Sequence, residues 1–108
     1  MNFSKELLKG STVTLILSAI EREDMYGYKI VKVIDMKSDG AFTMKEGTLY
    51  PILHSLEENG FVESYWEEFE GRNRKYYHIT KKGIKELNRK KEEWREYSKS
   101  VNKVLNFA

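Results

Sequence analysis

Residues 71–83 read GRNRKYYHITKKG, and this stretch changes character twice. It opens with turn composition, runs into the aromatic and β-branched segment RKYYHI, and then places Thr80 ahead of a charged segment, where a threonine caps a helix. Upstream, FVESYWEEF (61–69) has the same strand character, so 61–79 reads as a two-stranded hairpin turning at EGRN (70–73). Arg72, Arg74 and Lys75 then fall at the hairpin tip.

Before Gly60 the apolar period is 3.6 rather than 2. Leu7, Leu8, Val13, Ile16, Leu17 and Ile20 have helical spacing over 4–23, with Gly10-Ser11 either interrupting one helix or capping a second start. DMYGYKIVKVIDMKS (24–38) carries Tyr28, Ile30, Val31 and Ile34 on one stripe, with Asp24 as the expected N-cap. SDGAFT is a loop. MKEGTLYPILHSLEENG (44–60) buries Leu49, Ile52, Leu53 and Leu56, holds Pro51 in its first turns and stops at Gly60. The final helix is expected from Thr80 to about Phe107. The fold class is therefore mainly α with a small β-hairpin.

At 108 residues the chain suits a single core, and it has 33% charged residues, 40% apolar residues and no cysteine. Disulfides, thiolate metal sites and thiol nucleophiles are excluded. VTLILSAI is too short to span a bilayer, and Lys5-Glu6 stand where a signal peptide would place its apolar core. The expectation is a soluble, unexported, cytoplasmic protein. Between Glu70 and Lys91 nine Lys or Arg stand against two Glu, a local +7 in a chain whose net charge is only +2. That asymmetry points to a polyanion or to a solvated helix face.

The last helix, of some 26 residues and roughly 39 Å, outruns such a body. It stays apolar to its end through Ile84, Leu87, Trp94, Tyr97, Val101, Val104, Leu105 and Ala108. A projecting apolar stripe needs a second chain, so a homodimer is expected, with Leu87, Trp94, Val101 and Leu105 at its seam and Leu7 and Leu8 alongside.

Three helices followed by a basic-tipped hairpin is the order of a winged helix-turn-helix. In that arrangement 46–60 enters the DNA major groove and Arg72, Arg74 and Lys75 meet phosphates or the minor groove. Lys45, Thr48, Tyr50 and His54 become candidate DNA contacts, as does Tyr26 at the start of the preceding helix. Trp66 reads as packing of wing on body. His54 with Glu57 and Glu58 supplies too few ligands for a metal, and no phosphate loop or nucleophile pair is present. No catalytic residue and no cofactor are expected.

YGYKI, EGTLYPILHSLEENGFVES, GRNRKYYHITKKG and the following KEL resemble the PadR family of bacterial transcriptional regulators, from about Leu7 to the end. The short length resembles its subgroup with a single C-terminal helix. The resemblance implies a winged helix-turn-helix over 1–80 and a dimerisation helix over 81–108. It implies a homodimer on a double-stranded DNA operator, usually a repressor relieved by a small molecule. It also implies an effector site, because a Trp in the last helix stacks planar ligands in multidrug-responsive members. Trp94 stands at that position, with Leu7 and Leu8 beside it. The alternative is a winged-helix protein-interaction module docking an acidic partner.

Overall fold

Two serines divide the N-terminal apolar stretch. The computed structural model describes residues 3–107; Ala108, placed on the apolar stripe above, lies outside them. Ser4 caps α1 (Lys5–Lys9) by accepting from the Leu7 amide, and Ser11 precedes α2 (Thr12–Ala19). Gly10-Ser11 therefore marks a second start. The Thr12 hydroxyl donates to the Leu8 carbonyl at 2.7 Å and ties the two helices across the break.

Asp24 does not cap the next helix. Met25–Tyr26 form a short strand, β1, and α3 (Gly27–Lys37) starts from the extended backbone of Tyr26. Strand pairing wins here because Met25 and Tyr26 find partners in Tyr77 and Tyr76. α4 (Glu46–Glu58) is stopped at Gly60, whose φ of +77° is available to glycine at little cost. Pro51 is the sixth residue of α4, so it lies in the second turn and forfeits the bond to the Gly47 carbonyl. Both residues are exposed, and water can take that carbonyl.

β2 (Val62–Phe69) and β3 (Arg72–Ile79) form the hairpin, and the sheet order is β1-β3-β2, all antiparallel. The sheet thus has three strands, one more than the sequence pattern shows. The turn is only Glu70-Gly71, both with positive φ (51° and 76°), the two-residue geometry that matches strand twist. Arg72 and Asn73 belong to β3, with Phe69 opposite Arg72.

Thr80 caps α5 (Lys81–Leu105) through the Gly83 amide, and left-handed Asn106 ends it with the Phe107 amide bonded back to Asn102 at 2.9 Å. One core holds Ile16 and Leu17 of α2 with Ile20 at its C-cap, Ile30 and Ile34 of α3, Leu49, Leu53 and Leu56 of α4, and Val62, Tyr77 and Ile79 of the sheet. Leu87 of α5 joins it, fully buried. Tyr28 is half exposed, so the α3 stripe runs through Ile30 and Ile34 without it. Past Leu87, α5 puts no further side chain into this core, and the molecule measures 54 × 30 × 21 Å.

Candidate nucleic-acid interface and apolar cavity

α4 turns Leu49, Leu53 and Leu56 inward, which leaves Gly47, Thr48, Pro51, His54 and Ser55 on the exposed side. Lys45, at the N-cap, is exposed, and no side chain caps this helix end. The free amides of this end favour an anion, while the Lys45 charge is offset by the Glu46 carboxylate in the first turn. His54 is not free: its Nε2 lies 2.7 Å from Glu58 one turn on.

Tyr50 sits differently from its neighbours. A Cβ on Gly27 would come within 2.5 Å of the Tyr50 hydroxyl, so the ring lies on the first turn of α3. Burial and then the Glu46 carboxylate push its phenol up from the ordinary value. The ring edge stays accessible, but the hydroxyl is directed at α3. The ring can hold this position because residue 27 has no side chain.

The wing's two faces carry different chemistry. On the outer face the Arg74 guanidinium lies 4.3 Å from the centre of the Tyr26 ring, and Tyr26 meets Tyr76 edge-on at 5.7 Å. Tyr76 stacks on Tyr65, whose hydroxyl donates to Asp24 at 2.7 Å. The other Asp24 oxygen is 2.9 Å from His78 Nδ1. This network ties the start of α3 to both wing strands.

Its electrostatics make a test. Burial raises the Asp24 pKa, but hydrogen bonds from Tyr65 and His78 outweigh it and hold the carboxyl below its usual value. The same bond, then desolvation, pushes Tyr65 up to about 12 from 10.0. The Asp24 contribution to stability is present above the ordinary carboxylate range and is lost as pH falls through the depressed pKa. The Tyr65 contribution is full below pH 10.0 and is lost as pH rises toward about 12. Alkaline titration of tyrosinate absorbance should show a late phenol in the wild type that moves earlier in Asp24→Asn. An unchanged curve would mean the Tyr65–Asp24 bond does not persist in solution.

The register also redistributes charge. Glu67 lies opposite Arg74, and Glu68 opposite Asn73. Glu63, Glu67, Glu68 and Glu70 outnumber Arg72, Arg74 and Lys75, so the hairpin is not a basic arm. Arg72 is exposed next to the turn, Arg74 half-buried, and Lys75 half-buried on the opposite face, 5.8 Å from the Tyr77 ring centre.

A cavity of about 660 Å³ opens between α1, α2, the loop before α4 and α5. Leu7, Leu8, Thr14, Leu15, Phe42, Trp94 and Tyr97 line it, with Lys90 and Glu93 also on its wall. The structure thus brings Trp94, Leu7 and Leu8 to one cavity. Trp94 is 55% exposed and lies 6.5 Å from Tyr97, ring centre to ring centre. Volume and lining suit a drug-sized apolar molecule.

Residues 16–89 match the model of the transcriptional regulator PadR-like family. The chain belongs to the PadR-like family. Among solved structures, a transcriptional regulator from Clostridium thermocellum superposes with a TM-score of 0.85 at 42% identity, over 92% of this chain and 97% of that one. A PadR family regulator from Eggerthella lenta gives 0.81 at 34% identity, over 95% and 88%. A curated relative, protein X of Lysinibacillus sphaericus, is 33% identical over 98 residues, 90% of each chain.

In this PadR-like chain the basic block of the sequence is not one surface. β3 carries its residues away from the turn, so the wing cations and the first lysines of α5 stand about 25 Å apart along the strand. Several α5 cations have partners within the chain: Lys82 with the Asn59 carbonyl, Arg89 with Glu86, and Lys91 with Glu21. Leu87 has no surface left for a second PadR chain, because its own core covers it. Trp66 does not pack wing on body; it is 64% exposed. Sequence reasoning also missed the Asp24–Tyr65–His78 network, which joins residues up to 54 apart, and the cavity's Phe42 and Leu15. Among the described residues no helix is long and apolar enough to cross a membrane, and no group of three metal-ligating side chains occurs.

Proposed function

We propose that this chain is a sequence-specific DNA-binding repressor that works as a homodimer and is released by a planar apolar effector. The observation that carries it is the exposed face of α4, which is small and polar, begins at a helix end whose amides no side chain caps and is framed by α3 and the wing. A protein-docking module would present apolar anchors there instead. Lys45 and Thr48 sit where an α4 in the major groove meets phosphate and base edges, with His54 nearly two turns past Thr48 and Arg72 beside the hairpin turn. Arg74 and Tyr26 act together as a stacked pair at the wing's base. Trp94, Val101 and Leu105 are the dimer seam, and the cavity at Trp94 is the effector site.

The test is selection of duplexes from the organism's own genomic DNA, followed by affinity against salt. Each phosphate contact contributes about 0.9 to the log–log slope, so Lys45→Ala in both protomers should lower it by about 1.8. Thr48→Ala should change which base pairs are discriminated and leave the slope alone. A wild type that enriches no sequence, or binds with no salt dependence, overturns the proposal in favour of a protein partner.

A further inference from the structure

Carboxylates outnumber cations on the wing, so charge alone gives it little hold on a polyanion. Val62 of β2 is buried in the core, and Ser64, two residues on and on the same face, donates to the Glu57 carboxylate of α4. That side of the wing therefore looks onto α4. Opposite Ser64 stands Tyr77, whose phenol is pushed up first by burial and then by the nearby Tyr50 and Glu57 of α4.

Trp66 is the next residue on this face, roughly 7 Å further toward the turn. The body has ended at that point, and the indole is 64% exposed. Lys75 lies directly across from it in the register. The exposed indole stands on the side of the hairpin that faces the helix proposed to enter the groove, and on the same face the Lys75 ammonium lies 5.8 Å from the Tyr77 ring centre. Arg72 and Arg74 lie on the other face.

We infer that Trp66 and Lys75 form a DNA-contacting pair on the α4 side of the wing, the ammonium on a phosphate and the indole against the adjoining deoxyribose. Deoxyribose is the apolar part of the backbone, and a flat ring covers it without needing its own charge. Such a contact gives grip to a wing whose charges nearly cancel. It also fixes the spacing between wing and α4, since Ser64 and Glu57 are bonded just behind it. The inference rests on the DNA-binding reading above.

The experiment uses the full chain and the tightest duplex from the genomic selection. The Trp66 signal is the difference in emission between wild type and Trp66→Phe, measured with iodide as quencher. On saturating duplex, that component should shift to shorter wavelength and lose most of its iodide accessibility. Trp66→Ala should weaken binding about tenfold with the salt slope unchanged, and Trp66→Phe should restore most of the loss. Lys75→Ala should lower the slope by about 1.8 for the dimer. Circular dichroism of each variant reports whether the hairpin is intact; a loss of affinity with an altered spectrum counts against a contact role. Duplex binding with Trp66 emission and quenching unmoved overturns the inference alone. A wild type that retains no duplex overturns the DNA reading, and this inference with it.

Discussion

Gly83→Ala is expected to lower stability by about 3 kcal/mol or more, which for a domain of this size is a fall of roughly 12 °C or more in the thermal midpoint. A Cβ at this position would stand 2.0 Å from the Phe61 carbonyl oxygen and 2.8 Å from Ile79 Cγ1. The oxygen is main chain, at the turn between α4 and β2, and it accepts from both the amide and the hydroxyl of Thr80. It cannot retreat without breaking the bonds that start α5. Gly47 is the control, because nothing lies within 4 Å of a Cβ there. Gly47→Ala should change stability by no more than about 1 kcal/mol. Thermal melts of both variants decide the matter, and wild-type behaviour of Gly83→Ala would refute the close approach of α5 to Phe61.

Val101→Asp is expected to turn the dimer into monomers at micromolar concentration. Val101 shares an apolar hollow with Tyr97, Ser100, Val104 and Leu105 on the part of α5 that has left the body. Val104 is 86% exposed and Leu105 55% in the single chain. Two-fold pairing would bury two aspartates near one another, each without a cation. An unpaired buried charge costs about 3 kcal/mol or more, so dissociation should rise at least on the order of a hundredfold. Sedimentation velocity measures this directly. The body should keep its melting transition as a monomer, because Val101 lies outside its core. A dimer of unchanged strength would place the seam elsewhere.

Much of the architecture is legible in the chain because its signals are local. The periodicity of Leu49, Leu53 and Leu56, the stop at Gly60 and the cap at Thr80 each need only a few neighbouring residues. What escaped is non-local or conditional. Nothing near Met25 announces a strand; its partner Tyr77 lies 52 residues away, and pairing exists only once the hairpin has folded back. The Glu70-Gly71 turn escaped because glutamate seldom adopts positive φ, so Arg72 and Asn73 read as turn. Trp66 read as packing because alternation tells which face a side chain takes but not where the body beneath it ends.

The same distinction explains the candidate sites. Leu87 and Val101 continue one stripe of α5, yet the first is fully covered by its own chain and the second only in part. Periodicity identifies a face and is silent on who covers it. Tyr50 reads as a groove contact from its place near the start of α4, while the absent side chain at Gly27 draws its hydroxyl to α3. The cavity at Trp94 could be named from a resemblance, but its wall at Phe42 and Leu15 comes from two elements distant in sequence.

α5 is unbroken from Lys81 to Leu105, with Leu87 clamped in the core and Trp94 between that clamp and the free end. It is therefore a lever with its fulcrum in the body. From Leu87 to Leu105 the arm is about 27 Å, so a tilt of about 5° moves the free end by roughly 2 Å. The cavity borders the arm near its middle, and a molecule that wedges Trp94 outward acts on the whole rod. Were two copies joined at that end, each degree of tilt would change the separation of their α4 helices. Groove spacing along DNA is fixed, so a DNA complex of such a dimer would have little tolerance for that change.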